Sequence, residues 1–133
     1  MRSIKIAAAV AVLMAPVAHA SSWTAITKGV NGTQIDVLTG TVKFAQMTDG
    51  EPQMQGVFRE ILRDHTILFM SIAVPWAECG LGYGQVYVFG IGASVPTWTY
   101  SVVTHGGSNI SNVFDFLCEG GRWFIKHAHD KNT

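Results

Sequence analysis

The alternation of apolar and polar positions predicts that most of this chain forms β-strands. Trp98, Tyr100 and Val102 alternate with threonine and serine, as on a strand with one buried face. Asn31-Gly32 is a hairpin signal, because both residues tolerate positive φ. The predicted strands are 22–28, 33–38, 41–46, 66–74, 85–91, 97–104 and 122–127.

One of these strands differs from the rest in being almost continuously apolar. Residues 66–74 show no polar face, so we predict a central strand that is buried on both faces. Pro75 ends it, and a loop over 76–84 then carries Cys79.

Residues 52–64 follow a helical period. Apolar side chains recur there at i, i+3, i+4, i+7 and i+8, which predicts an amphipathic helix: Met54, Val57, Phe58, Ile61 and Leu62. Thr48 and Glu51 have the spacing of a capping box in front of it. The alternative is a strand over 57–62 that pairs with the next segment through a turn at 63–65.

The segment 108–118 fits a helix or a strand by periodicity alone. Ser108 is a good N-cap and Gly120 stands where a left-handed C-cap is expected, so we predict a helix that ends near Gly120. Cys118 then lies at the helix end.

The first twenty residues have the features of a secretory signal peptide. Arg2 and Lys5 precede an apolar, alanine-rich stretch, and Ala18-His19-Ala20 is a small-x-small cleavage site. We therefore predict residues 1–20 as signal peptide, cleavage near Ala20, and one globular domain over 21–133 in the periplasm or outside the cell.

Two cysteines remain in the exported chain. In an oxidising compartment Cys79 and Cys118 are expected to form one disulfide. Closing a loop of this size stabilises the fold by about 4 kcal/mol in the chain-entropy description.

Charge excludes some classes of partner. Without Arg2 and Lys5, seven of the nine basic residues remain against nine acidic ones, a net charge of −2 with neutral histidines. We see no basic patch for nucleic acid and no basic amphipathic helix for a membrane surface, so neither partner is expected, nor membrane insertion after signal cleavage.

The order of features resembles small exported bacterial proteins of the surface-adhesin E type. The matching residues are Trp23, Gly32-Thr33-Gln34-Ile35-Asp36, Cys79, and Ser108 through Cys118. The chain departs from them in continuing past Cys118 into 121–125, and in its helix-like pattern at 52–64. The resemblance implies a non-enzymatic surface or periplasmic binding protein and fixes no ligand.

Exposed-looking aromatic residues are the candidate partner-binding anchors. Aromatic side chains near a glycine-rich loop or on a half-exposed strand are typical of interfaces, and we expect a protein partner through Trp76, Glu78, Tyr83, Trp98 and Tyr100. A periplasmic inhibitor or immunity protein that inserts the 76–84 loop into an exported hydrolase is an alternative.

The C-terminal histidines offer a competing hypothesis. On a strand His127 and His129 would share a face, as metal ligands in an H-x-H pattern do, which is compatible with a metal-binding protein or a small hydrolase. We prefer a solvated C-terminal tail as the explanation, because no second motif with ligand spacing accompanies them. Because no G-x-S-x-G motif or dinucleotide fingerprint occurs, we assign no catalytic residue and expect no cofactor.

Together these features predict an α+β fold: an antiparallel sheet of about five to seven strands, one or two packed helices and one disulfide. The leading functional hypothesis is an exported, non-enzymatic binding protein. The oligomeric state is left open.

Overall fold

The computed structural model describes residues 22–29 and 31–131, with side chains up to residue 128. The predicted signal peptide and its cleavage site lie outside the described residues. The strands are β1 (Trp23–Lys28), β2 (Gln34–Leu38), β3 (Lys43–Gln46), β4 (Pro52–Ile61), β5 (Ile67–Pro75), β6 (Tyr83–Phe89) and β7 (Trp98–Val103). A short 3-10 helix (Trp76–Gly80) follows β5, and one long helix, α1 (Asn109–Lys131), follows β7.

All seven strands belong to one antiparallel sheet in the order β1-β2-β4-β5-β6-β7. β3 lies beside β2 in the same layer, because it pairs with the first half of β4 while β2 pairs with the second half. Successive strands are neighbours almost throughout, as short connections require in an antiparallel sheet. The predicted α+β fold is confirmed.

The core lies between one face of the sheet and α1. The strands contribute alternate residues to that face, and Met54, Phe58 and Ile72 are fully buried there. Helix α1 contributes Val113 and Leu117 to the same cluster. We call the face under α1 the covered face. The opposite face is called the uncovered face, since no other element of the described chain packs on that side.

The predicted disulfide is present. Cys79 in the 3-10 helix bonds to Cys118 in α1, with 5.5 Å between the Cα atoms. Both residues are buried in the core. The bond therefore joins the β5–β6 connection to the helix that covers the sheet.

The helix predicted over 52–64 is wrong, because residues 52–61 form β4. Met54 and Phe58 point to the core with Gly56 between them. A side chain at Gly56 would lie 3.2 Å from the Phe58 ring and 3.3 Å from Val42, so the glycine leaves room for both. Since glycine has no apolar side chain, it conceals the period of two in the sequence.

Ser108 caps α1 as predicted, since the amide of Ser111 donates to Ser108 Oγ at 3.1 Å. The predicted end of this helix at Gly120 is wrong, as is the strand over 122–127, because α1 continues to Lys131. Gly120 and Gly121 allow close packing instead: a Cβ at Gly121 would lie 2.4 Å from Trp76 Cζ3.

The prediction that 66–74 is buried on both faces is wrong for its first half. β5 is central in the sheet, yet Ile67, Leu68 and Phe69 are exposed. Helix α1 covers only one face of the sheet and does not extend over the start of β5, which explains the exposure. Ile72, Ala73 and Val74 are buried.

Candidate functional site

Two of the five predicted partner-binding residues, Trp76 and Glu78, make contacts within the fold. The half-buried Trp76 ring packs edge-on against Phe44 at 5.3 Å between centroids and lies over Gly121. Glu78 accepts a hydrogen bond from the Gln85 amide at 2.7 Å, which fixes the 3-10 helix to β6. These two side chains thus have structural roles that the sequence did not indicate.

The other three predicted residues are strongly exposed. Tyr83, Trp98 and Tyr100 have fractional exposures of 61%, 54% and 42%. In the register of β6 and β7, Trp98 pairs with Val88 and Tyr100 with Val86, so both lie on the covered face at a place that α1 leaves open. Tyr83 lies on the uncovered face. The structure therefore brings Trp98 and Tyr100 together and places Tyr83 on the other side of the same two strands.

β7 is the last strand of the sheet. The backbone amide of Thr104 donates to the Gly82 carbonyl at 2.9 Å, so Gly82 and Thr104 are a hydrogen-bonded pair of the ladder. Because such pairs alternate in an antiparallel ladder, the backbone groups of Trp98 and Tyr100 point to β6 and those of Thr99 and Ser101 point outward. We call the outward side of Trp98–Val103 the β7 edge.

The β7 edge lacks the usual protection of an exposed strand at Thr99 and Ser101, whereas at its end the Val103 carbonyl already accepts the Gly106 amide at 3.1 Å. The stretch from Cys79 to Thr104 contains no charged residue, so β6, β7 and their connection are uncharged. β1, at the other end of the sheet, carries Lys28 and a bulge near Ile26. β3 has only four residues and begins with the exposed Lys43. Lysines, bulges and short length deter pairing with other chains, and β7 lacks all three.

A second surface feature was missed by the sequence reasoning. A cavity of about 560 Å³ opens on the uncovered face. Its lining comes from the end of β3 and the following turn, the start of β4, the middle of β5, the end of β6 and the β6–β7 connection: Gln46, Met47, Thr48, Asp49, Gln53, Gln55, Ser71, Ala73, Tyr87, Phe89, Gly90, Gly92, Ala93, Ser94 and Pro96. Had β4 been assigned as a strand, Gln53 and Gln55 would have been placed on its polar face.

Away from the cavity, the uncovered face carries a cluster of polar and aromatic side chains from β1, β2 and β4 that contact one another. Arg59 donates from Nε to the buried carboxylate of Asp36 at 2.8 Å and lies 4.6 Å from the centroid of the Trp23 ring. Gln34 donates to the other Asp36 oxygen at 2.7 Å. Both oxygens of the buried Asp36 carboxylate therefore accept hydrogen bonds from within the protein.

The two C-terminal histidines lie on a helix and not on a strand. Residues two apart on a helix point in different directions, so the shared face expected for His127 and His129 does not exist. The His127 ring stacks on Trp123 at 3.8 Å between centroids, with Nδ1 2.9 Å from the Trp123 carbonyl. The side chain of His129 lies outside the described part. Within that part, no group of three or more His, Cys, Asp or Glu residues is arranged to hold a metal ion.

None of the helices described here has both the length and the apolar character needed to cross a membrane. Comparisons with protein-family models, with curated proteins and with solved structures return no significant match.

Proposed function

We propose that this chain is an exported, non-enzymatic binding protein that engages a protein partner through the β7 edge. The observation that carries the proposal is the unprotected, uncharged edge strand, on which Trp98 and Tyr100 are exposed side by side. Exposed aromatic residues of this kind provide large contact area at low cost in side-chain entropy.

Export is proposed from two features. Residues 1–20 have the composition and cleavage site of a signal peptide. The Cys79–Cys118 disulfide suits an oxidising compartment, so the periplasm or the cell exterior is the proposed location. The resemblance to surface-adhesin E type proteins implies the same class of function.

The proposed binding mode is the addition of a strand to the sheet. The outward backbone groups of Thr99 and Ser101 would bond to an extended segment of the partner, while Trp98 and Tyr100 would flank it on one face. Because the edge is uncharged, we propose an uncharged segment rich in β-branched and aromatic residues as the ligand. A charged segment would lose hydration at this surface without gaining an ion pair.

The same surface offers little for catalysis. No residue from Cys79 to Thr104 is an acid, a basic residue or a histidine, and the cysteine is bonded. General acid–base chemistry needs a group that exchanges protons near neutral pH. Binding without turnover is therefore the proposed activity of this surface.

The proposal is tested with a displayed library of ten-residue peptides selected against the exported protein. We expect enrichment of uncharged, β-prone sequences. The double variant Thr99→Lys/Ser101→Lys should no longer bind the selected peptides. It places lysines at the two residues whose backbone groups point away from β6, and lysines on an edge strand deter pairing. Thr24→Lys/Ala25→Lys, which adds the same two charges at exposed positions of the other edge strand β1, is the matched control and should bind normally.

Amide hydrogen exchange supplies a readout specific to strand addition. A bound peptide should slow exchange at Thr99 and Ser101, while Trp98 and Tyr100 are already bonded to β6 in the unbound protein. Failure to enrich such peptides, or equal binding by the double-lysine variant, would refute the proposal.

A further inference from the structure

The cavity on the uncovered face has a shape set by side-chain size. In the strand register, Gln55 on β4 lies opposite Ala73 on β5, which lies opposite Tyr87 on β6. In the next row, Ser71 on β5 lies opposite Phe89 on β6. Small residues on the central strand between longer ones on its neighbours form a trough. The turn at 46–49 and the connection at 90–96 raise its two walls.

Hydrogen bonds hold two of its polar side chains in place, one within the lining and one to the neighbouring Gln85. Gln53 Nε2 donates to Gln55 Oε1 at 2.8 Å, and the Tyr87 hydroxyl donates to Gln85 Oε1 at 3.1 Å. The first bond uses one Gln53 donor and the Gln55 acceptor. The side-chain oxygen Oε1 of Gln53 therefore remains as an acceptor for a ligand, and the side-chain nitrogen Nε2 of Gln55 remains as a donor.

The lining excludes several ligand classes. It contains no lysine, arginine or histidine, so nothing would balance the charge of a phosphate or carboxylate ligand. Asp49 is its one carboxylate, and Asp49 Oδ1 already accepts the Glu51 amide at 3.0 Å. A single carboxylate is too few for a divalent cation or for two-carboxylate glycoside hydrolysis. The glutamines on the floor would be left unpaired by a purely apolar ligand.

The lining of the cavity is complementary to a ligand that has many uncharged hydrogen-bond donors and acceptors and one apolar face. We propose that this cavity binds a neutral carbohydrate. Sugar hydroxyls, each both donor and acceptor, would pair with Gln53, Gln55 and Ser71. The C–H face of a pyranose ring would rest on Phe89 or Tyr87. A volume of about 560 Å³ lies within the range of about 300–1,000 Å³ that small-molecule sites occupy.

The proposal is independent of the one made for the β7 edge, since it rests on different residues and a different ligand. It is tested by applying the exported protein to an array of neutral and anionic oligosaccharides. Bound sugars are then titrated by calorimetry. We expect binding to neutral oligosaccharides, weakened about tenfold or more by Gln55→Ala and by Phe89→Ala.

Phe69→Ala is the control, because it makes the same change at an exposed phenylalanine of the uncovered face that lies outside the cavity. It should bind like the unaltered protein. Urea unfolding midpoints establish that each variant is folded. A deoxy sugar that lacks one contacted hydroxyl should also bind markedly less tightly.

Three results would overturn the inference. The first is the absence of any neutral oligosaccharide ligand on the array. The second is binding that is unchanged in both folded cavity variants. The third is binding restricted to sialylated, sulfated or phosphorylated sugars, since the lining has no cation for them.

Discussion

Gly121 is a residue at which α1 packs closely against the Trp76 ring of the 3-10 helix. The Trp76 ring occupies the space that a side chain at this position would need, with Cζ3 2.4 Å and Cε3 2.9 Å from the ideal Cβ position. Sequence reasoning treated the neighbouring Gly120 as a helix end, because a glycine there is the usual C-cap. Local sequence does not distinguish a glycine that caps a helix from one that allows a close contact. The contacting residue here, Trp76, lies about forty-five residues before Gly121 in the chain.

Replacing Gly121 with alanine should destabilise the protein. Overpacking against a ring costs about 1–3 kcal/mol, which outweighs the gain of about 1 kcal/mol in helix propensity. Gly120→Ala gains the same propensity, and its Cβ would meet only Val42 at 3.3 Å and Met54 at 3.5 Å. Urea unfolding should therefore show Gly121→Ala to be the less stable of the two. Equal midpoints would contradict the role assigned to Gly121.

At the scale of elements, local signals predicted some segments and tertiary contacts decided others. Ser108 marked the start of α1 because an N-cap acts within one turn. The segment 52–64 was misread because Gly56 removes one apolar residue from an alternating strand, and the remaining ones fit a helical period. Pairing with β5 along the whole of β4 then decides the structure, since β propensity depends strongly on neighbours.

The link between the 3-10 helix and α1 should contribute strongly to stability. We expect the double variant Cys79→Ser/Cys118→Ser to lose about 4 kcal/mol of unfolding free energy, because the unfolded chain regains the entropy of an open loop. Urea unfolding with and without reductant measures this. Reductant should destabilise the unaltered protein and leave the double variant unchanged. A double variant as stable as the unaltered protein would contradict it.

At the scale of the whole molecule, charge is segregated. The segment from Cys79 to Thr104 forms one uncharged side of the sheet, and the charged residues lie elsewhere. The cavity could not be predicted, because its lining comes from four separate segments, 46–49, 53–55, 71–73 and 87–96, that only the strand register brings together. The fold class needed only periodicity and the cysteines.

The position of the disulfide also determines how the molecule would carry mechanical load. β6, β7 and their connection all lie between Cys79 and Cys118, so tension applied to the two ends of the chain crosses the covalent bond and bypasses them. Single-molecule stretching of the oxidised protein should release about 130 Å less chain than the reduced protein, from a sequence separation of 39 residues at about 3.4 Å each. Equal lengths would contradict this load path. In a chain held at its two ends, the β7 edge would remain shielded from the pull while β1 to β5, which precede Cys79, unfold.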